Sequence, residues 1–442
     1  MKVNSDSSSN LQKFFGPNQV LIQATSPGRM DVMGGIADYS GSFVLQKSIS
    51  QKATITVGIR NYNQLRIKSL DVSFQNEIYV DLDELPKNYE EAQEYLKKIK
   101  GGDWASYIIG CYLVLCNEKK IKLGGLDILI QSDVPVGKGV SSSAALEVAT
   151  LKAITELYNI ELIDTQLPKF AQKAENLVVG APCGLMDQLA SYFGHNNKLL
   201  PILCQPDQLY DLVEIPQNLY FVGIDSGVKH AVSGASYSEV RTAAFMGYSI
   251  IAQKLGLSKV DLVKQTEVKL PYNGFLSNIS PSLFEANFER NLDSMYGKDF
   301  IKDFGVVTDK LSVINPDVFY NINACTKHPI YENHRVKSFI QLLKSVDEKN
   351  HKDILPIMGE LMFQSHESYN NCGLGNEMTD KIVSMARKKG IENEIYGAKI
   401  TGGGSGGTIC LMVYGERGLE SANQIFKEYK DLTNQNSLVF IE

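Results

Sequence analysis

The sequence predicts an α+β fold from where its strands fall, where its helices fall, and how the two succeed each other. Strand-like composition marks four runs, at 53–59, 126–133, 219–224 and 408–414. Helical periodicity marks four others, at 144–158, 167–178, 336–343 and 380–387. Because helices and strands do not alternate strictly, an α+β arrangement is favoured over a doubly wound parallel sheet.

The length of the chain and a break in its pattern predict a division into domains. A chain of 442 residues usually forms two or three domains. Proline-containing breaks interrupt the periodic segments and put a boundary near residues 210–218. We therefore expect one domain at 19–215 and another at 216–442. A polar, serine-rich start indicates a disordered tail at 1–18.

Composition narrows the possible partners and the compartment. The formal net charge of −6 gives no electrostatic reason to expect nucleic acid or an anionic membrane as a partner. No apolar run approaches the roughly 20 residues that span a membrane, and the N-terminus lacks the apolar core of a secretory signal. The seven cysteines form no C-x-x-C pair, so neither a disulfide framework nor a zinc site is indicated. We expect reduced thiols and a cytoplasmic protein.

A glycine- and serine-rich turn at 135–147 follows the strand at 126–133 and opens a helix. Glycines let backbone N–H groups approach an anion, and a helix N-terminus adds donors with partial positive charge. Serine hydroxyls reach phosphate oxygens or a magnesium ion. The Walker A spacing is absent. The turn predicts a phosphate-binding loop, with a serine-capped helix as the alternative. Within it, Lys138 either assists the phosphates or points to solvent.

The segment 26–41 combines several turn residues with one cation and one carboxylate that suit a binding site. Arg29 offers a planar fork of donors that fits phosphate or carboxylate. Asp38 accepts hydrogen bonds, as a residue that holds sugar hydroxyls must. Taken alone, the segment is equally consistent with a tight turn that carries ordinary surface charges.

Two further carboxylates lie near a turn that contains proline and glycine. Glu175 falls on the helix predicted at 167–178, and Asp187 follows a turn that contains proline and glycine, amid apolar residues. A carboxylate in such surroundings needs a partner such as Arg29, because burying an unpaired charge is costly. Near a phosphate loop, one acid is expected to hold a hard cation and the other to face the nucleophilic hydroxyl. Helix caps or surface ion pairs are the alternative.

A second glycine-rich stretch, at 397–410, contains a formal G-x-G-x-x-G pattern. It precedes the predicted strand at 408–414 instead of opening a helix after a strand, so it is a poor dinucleotide-binding fingerprint. A dehydrogenase reading would depend on this misplaced pattern alone. Close approach of the backbone to a ligand is the better interpretation, and a flexible loop without a ligand is the alternative.

Together, the segments at 26–41, 135–147 and 397–410 resemble the three motifs of the GHMP small-molecule kinases, in the order seen in galactokinases. The resemblance extends from about residue 24 to residue 413. It implies a two-domain fold with an N-terminal domain similar to ribosomal protein S5 domain 2 and a ferredoxin-like C-terminal domain. It also implies ATP and Mg²⁺ as cofactors, a small-molecule sugar as substrate, and a monomer or a weak homo-oligomer.

The resemblance also implies roles for individual residues. Catalysis would involve Asp187, which faces the sugar hydroxyl, and Arg29, which stabilises charge on the transferring phosphoryl group. Magnesium would bind Ser143 and Glu175. The nucleotide would contact Trp104, Gly137, Lys138, Gly139, Val140, Ser141, Ser142 and Ser143. The sugar would contact Gly35, Ile36, Ala37, Asp38, Gly184, Tyr237 and Gly403. Trp104 is otherwise interpreted as a plain core residue.

The chain departs from the galactokinase pattern at three adjacent positions. Where galactokinases carry Glu-His-Thr, this sequence carries Gly35, Ile36 and Ala37. In galactokinases the acidic residue reaches the hydroxymethyl end of the sugar, so its loss removes a partner there. L-arabinopyranose is D-galactopyranose without C6, and it has no such hydroxyl to leave unpaired against Ile36. An unsatisfied hydroxyl would cost a hexose about 1–3 kcal/mol.

These positions, and the segments 328–336 and 372–375, also resemble the kinase domain of plant L-arabinokinases. The sequence therefore predicts a sugar kinase that forms L-arabinose 1-phosphate. A galactokinase that forms galactose 1-phosphate and a non-catalytic sugar sensor on the same fold are the alternatives.

Overall fold

A computed structural model describes residues 2–4, 9–16, 19–70, 77–99, 101–228, 235–264, 267–435 and 437–441. The contacts divide the chain into two units. Unit 1 comprises Met1–Arg29, Ser48–Val136 and Ser141–Phe193. Unit 2 comprises Met30–Lys47, Gly137–Val140 and Gly194–Glu442. Each unit therefore draws on more than one stretch of sequence.

Unit 1 combines a mixed sheet with a group of helices. Its strands are β1 (Lys2–Asn4), β2 (Val20–Met33), β3 (Phe43–Ile59), β4 (Gln64–Ser69), β5 (Ile78–Asp81) and β6 (Leu126–Ser132), of which β2 and β3 continue into unit 2. Its helices are α1 (Ser9–Phe14), α2 (Tyr89–Lys97), α3 (Gly102–Lys119), α4 (Ser142–Leu157), α5 (Gln166–Ala174) and α6 (Met186–Phe193). A π-helical turn, Glu175–Val179, extends α5.

The sheet of unit 1 has the strand order β1-β2-β3-β6-β4-β5. The pair β4–β6 is parallel, whereas β3–β6 and β4–β5 are antiparallel. Helices α3, α4 and α5 pack against one another, and α4 is buried around most of its girth because its residues are nearly all apolar or small. The predicted strand at 126–133 and the predicted helix at 144–158 are thereby confirmed.

The segment 1–18, predicted to be a disordered tail, contains the strand β1 and the helix α1. Residues 1, 5–8 and 17–18 of the expected tail lie outside the described residues. Phe14 and Phe15, however, are buried together with Leu21 and Leu129. The expectation of disorder is wrong at these positions because the two aromatic rings supply apolar surface that the polar residues before them do not.

Unit 2 is the larger unit and is rich in helices. Its further strands are β7 (Lys198–Leu203), β8 (Gln208–Leu209), β9 (Val213–Glu214), β10 (Leu219–Asp225), β11 (Met295–Tyr296), β12 (Phe319–Tyr320), β13 (Ile395–Ile400), β14 (Thr408–Tyr414) and β15 (Val439–Ile441). Its helices are α7 (Ala235–Lys254), α8 (Lys259–Val263), α9 (Pro281–Asn287), α10 (Gly297–Asp303), α11 (Ile322–Ser345), α12 (His351–Asn371), α13 (Glu377–Lys389) and α14 (Gly415–Thr433). Short 3₁₀ turns include Asp38–Ser40.

A four-stranded antiparallel sheet forms the centre of unit 2. Its spatial order is β13-β14-β10-β15. Along the chain, the four strands of this sheet come in the order β10, β13, β14 and β15, with helices between β10 and β13 and between β14 and β15. This succession and order are those of a ferredoxin-like βαββαβ unit, as expected. Helices α12 and α13 pack against β13, and α14 packs against β14 and β10.

The boundary between the units differs from the predicted one. Strand β7 pairs with residues 43–47 of β3 and with β8 and β9, so the segment from Gly194 onward belongs to unit 2. Residues 30–47 and 137–140 also join unit 2. The contacts thus do not follow the division 19–215 and 216–442, because strand pairing joins stretches that are distant in sequence.

Candidate active site

Arg29, Asp187 and Ser141 form one hydrogen-bonded group in unit 1. Nε and Nη2 of Arg29 both contact Oδ1 of Asp187, at 2.8 Å and 2.7 Å. Ser141 Oγ donates to Oδ2 of the same carboxylate at 2.6 Å. Arg29 is buried, whereas the Asp187 side chain keeps 23% of its surface exposed. The carboxylate is therefore fixed from two sides and stays accessible on another, which suits a group that meets a substrate hydroxyl.

Glu175 lies where α5 passes into its π-helical turn, a type of irregularity that is frequent at functional sites. Gln188 Nε2 donates to Glu175 Oε2 at 2.6 Å, and the hydroxyl of Ser143 also hydrogen-bonds this carboxyl group. Burial and then the negative charge of Asp187 raise the pKa of Glu175 to about 7, against the opposing effect of the Ser143 hydrogen bond. The Glu175 carboxyl group is thus only partly ionised at neutral pH.

A third carboxyl group, Glu147, joins this site from α4. It is fully buried, and its Oε2 accepts a hydrogen bond from Gln188 Nε2 at 3.2 Å. Burial and then the charge of Glu175 raise the pKa of Glu147 well above its usual range. We call Arg29, Ser141, Glu147, Glu175 and Asp187 the charge cluster. It contains three carboxyl groups and one guanidinium.

The predicted phosphate loop has the backbone that its glycines require. Gly137 and Gly139 both adopt a φ of 73°, in the left-handed region that favours glycine. Ser141 occupies the N-cap position of α4 with a φ of 58°, and Ser142 is the first residue of the helix. The N-terminus of this 16-residue helix therefore presents backbone N–H groups beside serine hydroxyls, as anion binding requires.

Lys138 does not simply point to solvent, which was one of the two sequence-based alternatives. Its Nζ lies 2.8 Å from Asp225 Oδ2, and the Asp225 side chain is fully buried. Thr408 Oγ1 donates to the backbone carbonyl of Lys138 at 2.8 Å. Burial raises the pKa of Asp225 in spite of the lysine. The pair therefore anchors residues 137–140 to β10 and β14 within unit 2.

Trp104 lines a cavity of about 110 Å³ in unit 1, together with Tyr107, Ile130 and Ser143. A single water needs only about 10–15 Å³ by a comparable measure, so this space is larger than a solvent void. Its walls are mainly apolar and aromatic, with serine hydroxyls at Ser132, Ser142 and Ser143. Such a lining suits a flat heterocycle, and Trp104 is half-buried at its edge. Tyr107 is a lining residue that the sequence did not indicate.

In unit 2, the turn at 34–37 surrounds Gly35 with partners. The Gly35 N–H donates to Asp31 Oδ2 at 3.0 Å, and the Gly35 carbonyl lies 3.1 Å from His328 Nε2. Burial lowers the pKa of His328 to about 4, so the ring is neutral and Nε2 is the donor. Ser368 Oγ lies 2.7 Å from Nδ1 and donates to it. Both backbone polar groups of Gly35 are therefore already hydrogen-bonded.

A buried ion pair stabilises this turn, because one of its members, Asp31, also accepts the Gly35 N–H. Asp31 Oδ2 lies 2.7 Å from Lys399 Nζ, and both side chains are fully buried. Gln46 Nε2 donates to Asp31 Oδ1 at 2.6 Å. A neighbouring carboxylate, Glu332, accepts the N–H of Gly34 at 3.0 Å. We call residues 34–37 with these partners the Gly35 turn.

The structure corrects the expected orientation of Ile36. Its side chain is 1% exposed and belongs to the apolar core of unit 2, so it does not present the open apolar surface that the sequence suggested. Ile36 also has a φ of 51°, which is unusual for a β-branched residue. The left-handed backbone directs its side chain inward. Ala37 is also fully buried, so neither residue presents an open apolar surface.

The remaining sugar candidates are distributed over both units. In unit 2, Asp38 and Tyr237 are buried, and the Tyr237 ring meets that of Tyr39 edge to face at 6.2 Å. Gly403 is half-buried in the loop between β13 and β14. Gly184 is half-buried in unit 1, in the turn before α6. Their contacts with a sugar remain predictions.

The second glycine-rich stretch contains the loop of a β-hairpin whose second strand is the predicted one at 408–414. It joins β13 to β14, which are antiparallel neighbours. Gly402 O accepts a hydrogen bond from Tyr369 Oη, and the Ser405 N–H donates to Leu374 O. The loop is thus fastened to α12 and to the residues that follow it.

The donors available to a divalent cation are oxygens. Among the residues that the structure describes, no group of three or more histidine, cysteine, aspartate and glutamate side chains could hold a metal ion. Ser143 and Glu175 are hydrogen-bonded to each other in unit 1, and a hydroxyl and a carboxylate are ligands that Mg²⁺ accepts. A cation bound there would also favour the ionised form of Glu175, whose pKa burial and the charge of Asp187 raise to about 7.

Two family models match the chain. The model of the GHMP kinases N terminal domain matches residues 106–195, and the model of the GHMP kinases C terminal domain matches residues 342–432. The chain therefore carries an N-terminal and a C-terminal GHMP kinase domain. Its two-domain fold of mixed helices and sheets agrees with the predicted fold class.

Curated relatives of the chain include two kinds of sugar kinase. It is 37% identical to L-arabinokinase of Arabidopsis thaliana over 96% of its own length, and it spans 46% of that protein. The chain thus spans about half the length of this relative. It is 29% identical to galactokinase of Chloroflexus aggregans (strain MD-66 / DSM 9485), over 92% of the chain and 87% of the relative.

Solved structures share the fold. Lactococcus lactis galactokinase complexed with galactose has a TM-score of 0.76 at 22% identity, and the match covers 99% of this chain and 97% of that one. Methanococcus jannaschii mevalonate kinase has a TM-score of 0.56 at 16% identity, over 97% and 98% of the two chains. Both likenesses concern the fold alone.

Several residues that shape these candidate sites were not predicted from the sequence. Glu147 could not be assigned to a site from the sequence, because the neighbours of an acidic residue in an apolar helix are known only once the helix is packed. Lys399 and Asp31 are far apart in sequence, although a lysine inside an apolar strand is a signal that it has a buried partner. Tyr369 carried no signal of its own. Within the described part of the chain, no helix is long and apolar enough to cross a membrane.

Proposed function

We propose that the chain is an MgATP-dependent sugar 1-kinase that converts L-arabinose to L-arabinose 1-phosphate. The 37% identity to a plant L-arabinokinase supports the substrate, and the charge cluster supports the type of reaction. We retain the cytoplasm as the predicted compartment because the seven cysteines are free thiols, six of them buried. The nucleotide would occupy the Trp104 cavity and the loop at 137–143.

In the proposed reaction, the anomeric oxygen forms a bond to the γ-phosphorus while the bond from that phosphorus to the β–γ bridging oxygen breaks. Asp187 accepts the hydrogen bond of the attacking hydroxyl, as its base or as an orienting charge. Arg29 holds Asp187 in place and supplies positive charge to the site. Phosphoryl transfer depends mostly on such positioning and charge stabilisation.

Magnesium fits the same group of residues. Ser143 and Glu175 would hold the ion, which when bound would neutralise negative charge on the phosphates. Gln188 Nε2 donates hydrogen bonds to both Glu175 and Glu147, and so fixes the direction of the Glu175 carboxyl group.

The Gly35 turn is the observation that carries the choice of sugar. Residue 35 has no side chain, and its N–H and carbonyl are both hydrogen-bonded within unit 2. An exocyclic hydroxyl placed against this residue would lack a partner, at a cost of about 1–3 kcal/mol. L-arabinopyranose has no exocyclic carbon and avoids that cost. Ile36, with its side chain in the core, contributes by fixing the turn.

Galactokinase activity is the second candidate, and the relatives that bear this name at 29% identity favour it. A non-catalytic sugar sensor is the third. Arg29, Ser143, Glu175 and Asp187 are all present, and a sensor would have no need of them.

An ADP-release assay with L-arabinose, D-galactose, D-galacturonate and L-fucose distinguishes these candidates. We expect kcat/KM for L-arabinose to exceed that for D-galactose by about tenfold or more. Faster turnover of galactose would contradict the choice of sugar and leave a galactokinase. Sugar binding by calorimetry without ADP release from any sugar would favour the sensor.

A further inference from the structure

The space beside Gly35 is occupied by the hydroxyl of Tyr369. A Cβ atom built on Gly35 would lie 1.9 Å from Tyr369 Oη, 2.7 Å from Asp31 Oδ2 and 3.0 Å from Gly402 O. The φ of Gly35 lies outside the left-handed region, unlike that of Gly34 at 106°. Backbone conformation therefore does not require glycine at position 35. The position excludes a side chain because Tyr369 fills the volume.

Tyr369 is held in this place by its own contacts. Its side chain is fully buried, and its Oη donates to Gly402 O at 2.7 Å. The His328 ring meets it edge to face at 5.4 Å, and Lys399 Nζ lies 5.4 Å from its ring centroid. Turning the ring aside would leave the Gly402 carbonyl without this buried partner, which is costly. Tyr369 is thus a fixed wall behind Gly35.

The same residues connect two of the glycine-rich segments of unit 2. Tyr369 contacts the Gly35 position on one side and the Gly402 carbonyl on the other. His328 binds the Gly35 carbonyl and also meets the Tyr369 ring. A change at Tyr369 therefore acts on the turn at 34–37 and on the loop at 401–407 together.

We propose that Tyr369 is a specificity-determining positioning residue, which keeps position 35 free of any side chain and so restricts the site to a sugar without an exocyclic hydroxymethyl group. This inference rests on the proposed function, which puts the sugar at residues 35–38. Removing the Tyr369 hydroxyl would open space beside Gly35 and release the Gly402 carbonyl as an acceptor. Both changes favour a sugar with one more hydroxyl.

A double-mutant cycle of Gly35→Ala and Tyr369→Phe tests the packing. Thermal unfolding without ligand measures it independently of any activity. We expect Gly35→Ala to lower the melting temperature markedly in the wild-type background, and to lower it by less than half as much beside Tyr369→Phe, where the shortest of the three contacts is gone. Tyr429→Phe is the matched control, because Tyr429 is also fully buried and donates to a backbone carbonyl, that of Ser226 at 2.6 Å. It should not relieve Gly35→Ala.

The ratio of kcat/KM for L-arabinose to that for D-galactose tests the effect on specificity. Tyr369→Phe should lower this ratio about tenfold, the change that one regained hydrogen bond confers, while the KM for ATP stays within about twofold. Tyr429→Phe should leave the ratio unchanged. An unchanged ratio in Tyr369→Phe would overturn the inference, and so would additive melting temperatures in the cycle. A wild-type preference for galactose would instead refute the proposed function, whatever the cycle shows.

Discussion

The charge cluster of unit 1 and the Gly35 turn of unit 2 are built on opposite principles. In the charge cluster, one of three carboxyl groups, that of Asp187, pairs with the guanidinium, and the other two have a raised pKa because they are buried beside like charge. In the Gly35 turn, the glycine's N–H, carbonyl and side-chain position are all taken by partners. The charge cluster therefore keeps carboxyl groups that can bind a cation or a proton. At Gly35, by contrast, no hydrogen-bonding group and no space is left over, and we infer that the selectivity for the sugar follows from this.

This contrast predicts that the two regions fail in different ways. A change in the charge cluster should reduce turnover for every sugar alike, because it removes charge or orientation at the reacting atoms. A change in the Gly35 turn should alter the preference between sugars, because it alters which hydroxyls find partners. The following changes test this separation.

The largest effect is expected from Asp187→Asn. The amide keeps the shape of the side chain but removes the charge that meets the attacking hydroxyl, so kcat should fall by about 10²–10⁴ for arabinose and galactose alike. Binding of ATP, measured by calorimetry, should remain detectable. Asp353→Asn is a suitable control. Both residues lie in the first turn of a helix, Asp187 in α6 and Asp353 in α12, but Asp353 is exposed. Near-normal turnover would exclude a catalytic role for Asp187.

A smaller effect is expected from Lys138→Met at the phosphate loop. Asp225 is fully buried and would lose its cation, and we expect a loss of about 2 kcal/mol in the free energy of unfolding, since Lys138 is itself mostly buried. Urea denaturation measures this loss. Adding Asp225→Asn should recover part of it. The control Lys198→Met breaks an exposed pair with Glu214 and should cost about 0.5 kcal/mol or less. Equal losses in the two variants would show that the buried pair is unimportant.

The last effect appears only at acidic pH and concerns His328. Burial lowers its pKa in the folded protein to about 4 from a usual value near 6.5, so between these values the unfolded chain binds a proton that the folded chain does not. This residue therefore contributes stability that is fully present above pH 6.5 and is lost as pH falls towards 4. Its share of the slope is roughly 1.4 kcal/mol per pH unit in that window.

Chemical denaturation of His328→Gln between pH 4 and 7 tests this contribution. The glutamine amide retains a donor for the Gly35 carbonyl but does not titrate, so the dependence of unfolding free energy on pH should become shallower. His334→Gln, an exposed substitution on the same helix, should leave the dependence as it is. A slope that His328→Gln does not change would mean that the buried ring makes no such contribution.

The sequence predicted the fold class and the four strands and four helices that it marked, because long periodic segments such as α4 and β14 carry their own pattern. It placed the domain boundary differently from the contacts, since the pairing of β7 with residues 43–47 is a long-range feature. The expected disorder at Phe14 and Phe15 was wrong for a similar reason. Burial of these rings depends on Leu21 and Leu129, which only the folded chain brings near.

The two regions also differed in how much of them the sequence predicted. Arg29, Glu175 and Asp187 were recognisable because charged residues near glycine-rich turns indicate chemistry by their type. For the Gly35 turn, the sequence indicated only that the acidic residue of the galactokinase pattern is absent. Its closure comes from the hydroxyl of Tyr369 and from the neutral ring of His328, and neither has a local signal in the sequence. Ile36 misled for a physical reason, because its left-handed backbone turns the side chain into the core.

Competition between two sugars tests the central claim most directly. The enzyme would receive equal concentrations of L-arabinose and D-galactose with MgATP, and phosphorus NMR would measure the two sugar 1-phosphates at early times. Their ratio equals the ratio of the two kcat/KM values. We predict that L-arabinose 1-phosphate exceeds galactose 1-phosphate by about tenfold or more. Equal amounts, or an excess of galactose 1-phosphate, would contradict the account.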